Sequence, residues 1–193
     1  LLFKRYDIIH LTGENIYPHY LIRNKPIIVT IHDCTIEHIT NNSQPLHKRV
    51  ELFKRVSHII AVSQNTKNDI LNLYPFVPPE NITVIYHGAN DFKVSTETNP
   101  YGKYILYIGG RGSYKNWDNL LYAFQTIIKE LPSIKLICSG SKFTFEEKKQ
   151  IDKLGLSNNI VNLQCCDKEL IRLYTHAVAF IYPSKYEGFG IPI

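Results

Sequence analysis

Two α/β domains built on parallel sheets are the fold class that this sequence predicts, and three observations predict it. Short Ile- and Val-rich runs recur between longer segments with helical spacing; they are too continuously apolar for half-exposed strands. The series is interrupted once, at Ala89–Pro100, by a stretch of Asn, Asp, Ser, Thr and Pro without apolar periodicity. The alternation then resumes, as right-handed strand–helix–strand crossovers require.

In the first half, the strands are expected at Asp7–Leu11, Pro26–Ile31, His58–Val62 and Ile82–Tyr86. Helices are expected over Leu46–Val56 and over Thr66–Tyr74, the latter stopping before Pro75 because proline cannot continue a helical turn. Domain limits of 1–92 and 101–193 follow, with a linker at 93–100. The second half offers strands at Tyr104–Ile108, Ile134–Cys138, Ile160–Leu163 and Val178–Tyr182. Asn116 is placed to cap a helix whose apolar face is Leu120, Leu121, Phe124, Ile127, Ile128 and Leu131. Phe145–Leu154 and Lys168–Ala177 supply the next two helices.

Composition narrows the function classes. The chain of 193 residues is 44% hydrophobic, enough for globular cores. Its formal charge of +5 contains no long basic run, which suits anionic small molecules or a lipid surface better than nucleic acid. Cys34 and Cys138 lie in apolar runs and Cys165 and Cys166 are adjacent, a pattern of neither zinc ligands nor a disulfide framework; all four read as reduced core or near-core thiols. No apolar stretch is long enough to span a bilayer and no basic-then-apolar leader opens the chain, so a cytoplasmic location is expected.

Ligands in parallel α/β sheets bind beyond the carboxyl ends of the strands. Three segments lie there: His32-Asp33, Gly109–Lys115 and Tyr186–Gly190. Gly109-Gly110-Arg111-Gly112-Ser113-Tyr114-Lys115 combines flexible backbone, two cations and a following helix start, a combination suited to a diphosphate. It matches neither the Walker A loop nor the Gly-x-Gly-x-x-Gly fingerprint, and a plain glycine-rich turn with solvated cations is the competing reading. His32 could touch a transferred group or be tied to a neighbouring carboxylate or carbonyl. His-Asp-x-x-x-Glu-His, with Glu37 and His38, is not the spacing of zinc hydrolases, and no metal is assigned. His10, His87 and Gly13-Glu14-Asn15 also follow strands and are weaker candidates, with loop or packing roles the plainer reading. In Tyr186-Glu187-Gly188-Phe189-Gly190 the carboxylate can accept hydrogen bonds from sugar hydroxyls, and the glycines permit close approach of backbone to ligand.

Taken together, these segments resemble the family 4 retaining glycosyltransferases (glycosyl transferases group 1). Val29–Asp33, Ala61-Val62-Ser63 with Thr66-Lys67-Asp69-Ile70, and Val84–Gly88 resemble the acceptor-side domain; Tyr107–Gly109 with Arg111, Lys115-Asn116 and Asn119–Leu121, and Leu170-Tyr174-Ala177 with Pro183–Gly190, resemble the donor domain. The resemblance implies the GT-B architecture, two Rossmann-like doubly wound domains facing a cleft. It implies that Arg111 and Lys115 bind the donor diphosphate, with Gly109 and Gly110 in the same loop. His32 then lies beside the donor sugar, Glu187 is the first glutamate of a Glu-x7-Glu signature, and Gly188, Phe189 and Gly190 offer backbone contacts to the sugar. The second glutamate would fall at position 195 and the family's first strand is not matched, so both domains are expected to be incomplete.

The implied activity is retaining, metal-independent transfer of a mannose-like sugar from a GDP- or UDP-sugar to a hydroxyl on a sugar, glycan or lipid-linked acceptor. No cofactor is expected beyond that donor. Peripheral contact with the inner face of a membrane is expected, and nucleic acid is not. A non-catalytic sugar-nucleotide-binding or truncated structural module is the alternative, and a sugar-nucleotide epimerase of the same architecture is a third.

Overall fold

Isoleucine and valine dominate the strands of two four-stranded sheets in the computed structural model, which describes residues 7–13, 25–40, 42–88 and 93–192. Glu14, Asn15 and the start of the expected break at 89–92 lie outside the described residues. By contacts the chain divides into two units, Leu1–Gly88 with Tyr186–Ile191, and Ala89–Lys185 with Pro192–Ile193. The Tyr186–Ile191 loop, expected in the second domain, thus groups with the first unit.

The first unit carries β1 (Ile9–Leu11), β2 (Ile27–Ile31), β3 (His58–Ala61) and β4 (Ile82–Val84), all parallel in the order β1-β2-β3-β4. In β2, Ile27, Val29 and Ile31 are buried while Ile28 and Thr30 are half-covered, and the strand is paired on both sides, as its apolar run predicts. A π-helical turn (Ile36–Thr40), α1 (His47–Phe53), α2 (Gln64–Leu73) and a short 3-10 turn (Pro79–Asn81) complete the unit.

α2 starts two residues before its expected position because the Ser63 hydroxyl accepts the Thr66 N–H at 3.0 Å, satisfying one of the donors that a helix start leaves open. β4 stops at Val84 rather than Tyr86. Among the described residues its partner is β3, which ends opposite it, and Ile85 and Tyr86 are exposed.

Beneath the sheet, Tyr74 packs edge-on against Phe53 at 4.8 Å, and a polar cluster is sealed in with them. Glu37, 0% exposed, takes Arg49 Nη1 at 2.5 Å and the Tyr74 hydroxyl at 2.5 Å; the same hydroxyl accepts the Leu46 N–H at 3.1 Å. Burial and the carboxylate beside it push the Tyr74 phenol well above its ordinary range.

The second unit holds β5 (Tyr104–Ile108), β6 (Lys135–Ser139), β7 (Ile160–Leu163) and β8 (Ala179–Phe180), all parallel in the order β7-β6-β5-β8. Between them lie a 3-10 turn (Ser113–Lys115), α3 (Trp117–Glu130), α4 (Phe145–Lys153) and α5 (Asp167–His176). One core joins Trp117, Leu120, Leu121 and Phe124 of α3 and Ile151 of α4 to Tyr107, Leu136 and Cys138; a second joins Leu173 of α5 to Tyr104, Leu106 and Ile137. These strand residues alternate in face, so helices cover both sides of the sheet. Each fully buried Leu or Phe contributes about 1.5–3 kcal/mol, which is how α3 is held.

Several local expectations are corrected here. Asn116 occupies the cap position of α3 in a left-handed conformation (φ 61°), and its Oδ1 accepts from the Asn119 side chain at 2.7 Å instead of capping a backbone N–H. β8 is two residues long, not five, because only Ala179 and Phe180 are in register with β5. Cys34 and Cys138 are buried, and burial pushes the Cys138 thiol up to about 12, but Cys166 is exposed rather than near-core. No helix among the described residues is long and apolar enough to cross a membrane.

Candidate functional site

In the first unit, β2 releases the chain at His32-Asp33 and β4 leads into Ile85–Gly88. His32 is exposed, and its Nε2 donates to the Thr12 carbonyl at 2.9 Å. The ring stacks on His87 (5.4 Å between centroids, 11° between planes), His87 meets the edge of Phe189 at 5.0 Å, and Tyr86 lies 6.1 Å from Phe189. Four rings thus form a row at the strand ends.

Asp33 does not pair with its neighbour His32. Its Oδ1 accepts the Thr35 N–H at 2.9 Å, a local turn. The remaining residues of the His-Asp-x-x-x-Glu-His run are also engaged elsewhere, Glu37 by Arg49 and Tyr74, and His38 Nε2 at 3.0 Å from Asp69 Oδ1. Among the described residues no group of three His, Cys, Asp or Glu side chains is placed to hold a metal ion. His10, expected after a strand, lies inside β1 and bonds Thr30 Oγ1 at 2.8 Å.

The Glu187 loop sits against this group. The Glu187 carbonyl accepts from Asn65 Nδ2 at 3.2 Å, and the Gly188 carbonyl accepts from the hydroxyls of Ser63 and Thr66, the latter at 3.3 Å. A Cβ on Gly188 would stand 1.9 Å from the His32 carbonyl oxygen and 2.7 Å from Asp33 Cβ, so only glycine allows the loop to lie there. Gly190 adopts φ 83°. The Tyr186 hydroxyl donates to Asp69 Oδ2 at 2.6 Å and accepts the Cys34 N–H at 3.0 Å; burial, and the hydrogen bond to Asp69, push its pKa well above the usual phenol range. Sequence reasoning placed Tyr186 and Asp69 in functional segments but gave neither side chain a role, and it missed Asn65 altogether. The Ser63-x-x-Thr66 pattern marks a helix start, but nothing local to it points to a loop more than 120 residues away.

In the second unit, Gly109 ends β5 at φ 120° and Gly140 ends β6 at φ 154°. A Cβ on Gly140 would lie 2.8 Å from the Gly109 carbonyl oxygen, so the crossing of the two strand ends requires glycine at 140. Tyr107 donates from its hydroxyl to the Gly110 carbonyl at 2.5 Å; burial pushes its pKa up to about 12.

Arg111 and Lys115, expected to serve as one diphosphate clamp, are held differently. The Arg111 side chain is 2% exposed: Nε and Nη2 grip the two Glu147 oxygens at 2.8 and 3.2 Å, and Nη2 also donates to the carbonyls of Ser141 (2.8 Å) and Lys142 (3.0 Å). Its guanidinium carbon lies 4.7 Å from the centre of the Phe143 ring and 5.8 Å from that of Trp117. Arg111 Nη1 is buried without a hydrogen-bond partner among the described residues. Lys115 is half-buried at the start of α3, with Nζ 3.1 Å from the Tyr182 hydroxyl and about 5 Å from the centres of the Tyr114 and Tyr182 rings (4.9 and 5.1 Å). The loop therefore presents glycine backbone, a lysine and a helix start on a base fixed by Tyr107 and Arg111, an arrangement suited to an anion.

A family model described as "Glycosyl transferases group 1" matches residues 88–193, and one described as "Glycosyltransferase Family 4" matches residues 1–91. The chain is 29% identical over 179 residues to the O-antigen chain mannosyltransferase RfbU of Salmonella typhimurium, covering 89% of this chain and 49% of the relative. It is 26% identical over 201 residues to a GDP-mannose:cellobiosyl-diphosphopolyprenol alpha-mannosyltransferase of Xanthomonas oryzae pv. oryzae, covering 96% of this chain and 52% of the relative. The chain thus spans about half the length of these relatives. Its fold is similar to that of Anabaena Alr3699/HepE, crystallised in complex with UDP and glucose, with a TM-score of 0.77 at 21% identity over 97% of this chain and 56% of that one. The two parallel-sheet units are those of the GT-B fold.

Proposed function

The chain belongs to the glycosyl transferases group 1 family, and on that premise we propose that it moves a mannose-like sugar from a nucleoside diphosphate sugar to a hydroxyl of a glycan or lipid-linked acceptor, with retention of configuration, in lipopolysaccharide or polysaccharide synthesis. The observation that carries this reading is the Gly109–Lys115 loop, a strand-end anion cradle whose shape is set before any ligand arrives. Relatives named as mannosyltransferases, one of them using GDP-mannose, support the sugar and the donor class.

Breaking the glycosidic phosphate bond gathers negative charge on the leaving diphosphate. Fixed donors facing that charge stabilise the transition state more than the ground state. In this reading Lys115 and the N–H groups at the start of α3 meet the diphosphate, while Arg111, with its donors directed to Glu147, Ser141 and Lys142, acts by holding the loop in shape. His32 and Glu187 contact the transferred sugar, Glu187 as a positioning carboxylate rather than a base, with Gly188, Phe189 and Gly190 offering backbone. The acceptor attacks from the face that the phosphate leaves, and a phosphate oxygen takes the acceptor's proton. Lys115 and the N–H groups of α3 carry the charge compensation, so a chelator leaves the rate unchanged. The reaction takes place on the cytoplasmic side, at the membrane surface where lipid-linked acceptors are presented.

The test is transfer from labelled GDP-mannose and UDP-glucose to a lipid-linked oligosaccharide, with the anomeric configuration of the product read by NMR. Lys115→Ala is expected to lower turnover about a hundredfold. An inverted product refutes the retaining mechanism. Nucleotide binding without transfer or hydrolysis favours a binding module.

A further inference from the structure

The loop assigned to the sugar is fixed by contacts that the proposed chemistry does not use. Two successive carbonyls are clamped to the start of α2, that of Glu187 by Asn65 Nδ2 at 3.2 Å and that of Gly188 by the hydroxyls of Ser63 and Thr66. Because a trans peptide directs its N–H opposite to its C=O, these clamps turn the N–H groups of Gly188 and Phe189 away from α2. One residue earlier, the Tyr186 hydroxyl joins two elements at once, donating to Asp69 on α2 at 2.6 Å and accepting from the backbone N–H of Cys34 at 3.0 Å. Its ring lies 4.8 Å from that of His38, whose Nε2 is 3.0 Å from the other Asp69 oxygen. Cys34 follows directly after His32-Asp33, and Gly188 is in van der Waals contact with the His32 carbonyl.

We infer that Tyr186 and Asp69 are positioning residues of the sugar site: the Tyr186 hydroxyl latches the Glu187–Gly190 loop to α2 and to the end of β2, fixing the loop against His32 with its N–H groups aimed at the oxygens of the donor sugar. The inference rests on the reading of this loop as sugar-binding. The geometry favours it over simple packing, since a packing role needs the ring alone, whereas here the hydroxyl is hydrogen-bonded on both sides.

The test compares wild type, Tyr186→Phe and Asn65→Ala by titration with GDP and GDP-mannose, and with UDP and UDP-glucose. Tyr186→Phe is expected to keep nucleoside diphosphate affinity within twofold while losing tenfold or more for the sugar nucleotide. Asn65→Ala, a milder change at the surface, should lose threefold or more in the same selective way and carries the test if Tyr186→Phe does not fold. Equal loss for both ligands, or no loss for either, overturns the positioning role. Hydrogen exchange separates this inference from the one beneath it. The Cys34 amide should exchange at least tenfold faster in Tyr186→Phe, and an unchanged rate refutes the latch itself; a wild-type chain that binds none of the four ligands refutes the transferase reading.

Discussion

Replacing Gly188 by alanine tests the placement of the Glu187 loop most directly. The new methyl would stand 1.9 Å from the His32 carbonyl oxygen, 2.9 Å from the His32 carbonyl carbon and 2.7 Å from Asp33 Cβ. Two of the three obstacles are main-chain atoms at the end of a strand paired on both sides, so they cannot turn aside as a flexible side chain would. Gly188 must then retreat by more than an ångström. That retreat breaks the bonds from Ser63 and Thr66 to its carbonyl and stretches the one from Asn65 to Glu187. At about 0.5–1.5 kcal/mol for each net hydrogen bond, the loop loses roughly 2–4 kcal/mol of docking free energy. At 1.4 kcal/mol per tenfold, its undocked population rises by about 30-fold or more.

Trypsin reads this population, because the Lys185–Tyr186 bond lies at the edge of the loop and cleavage follows the local open state. Cleavage after Lys185 is expected to accelerate by about the same factor in Gly188→Ala, with the melting temperature of the β5–β8 sheet little changed. Wild-type cleavage kinetics in a folded Gly188→Ala chain would refute the steric argument.

Three further outcomes follow from the same contacts. Arg111→Ala strands the Glu147 carboxylate and the Ser141 and Lys142 carbonyls and should lower stability by about 3–5 kcal/mol, and Arg111→Lys, which cannot reproduce the two-pronged grip, should recover little of it; an unshifted urea midpoint in the alanine variant contradicts the structural role. Tyr74→Phe removes the hydroxyl between Glu37 and the Leu46 N–H and should destabilise by about 1–3 kcal/mol in denaturant unfolding, with no change expected if the cluster were solvated. Tyr107 and Tyr186 both hold their protons in the folded state to higher pH than an ordinary phenol. The unfolded chain therefore releases these protons first as pH rises, so their contribution is complete below about pH 10 and is lost above it. Tyr186→Phe should flatten this alkaline limb, and an equally steep limb in the variant would show that Tyr186 does not contribute to it.

Much of the fold was legible because buried parallel strands announce themselves locally. β5 and β7 have the bounds that their apolar runs predict, β2 starts one residue later, and β6 is shifted by one residue at both ends. Where prediction and structure part, the cause is a partner that the sequence does not display. β4 and β8 are shorter than their apolar runs because the strands beside them set where pairing ends. α2 begins early because a serine hydroxyl finds a backbone N–H, and Asn116 fails as a cap because its carbonyl oxygen finds Asn119 first.

The candidate site divides in the same way. The sequence by itself determined the strand-end positions of His32 and Gly109 and the loop that carries Lys115, since strand periodicity and glycine placement are properties of neighbouring residues; the Glu187 loop, expected in the second domain, groups with the first unit through contacts that the sequence does not display. Tertiary structure alone decided what these groups can do. It turned Arg111 inward onto Glu147, 36 residues away, separated Glu37 from His32 by burying it with Arg49 and Tyr74, and brought Tyr186 to Asp69 across 117 residues. A side chain's charge and hydrogen-bonding capacity are written in its own residue type. Whether they remain available to a ligand depends on which distant groups fold against it.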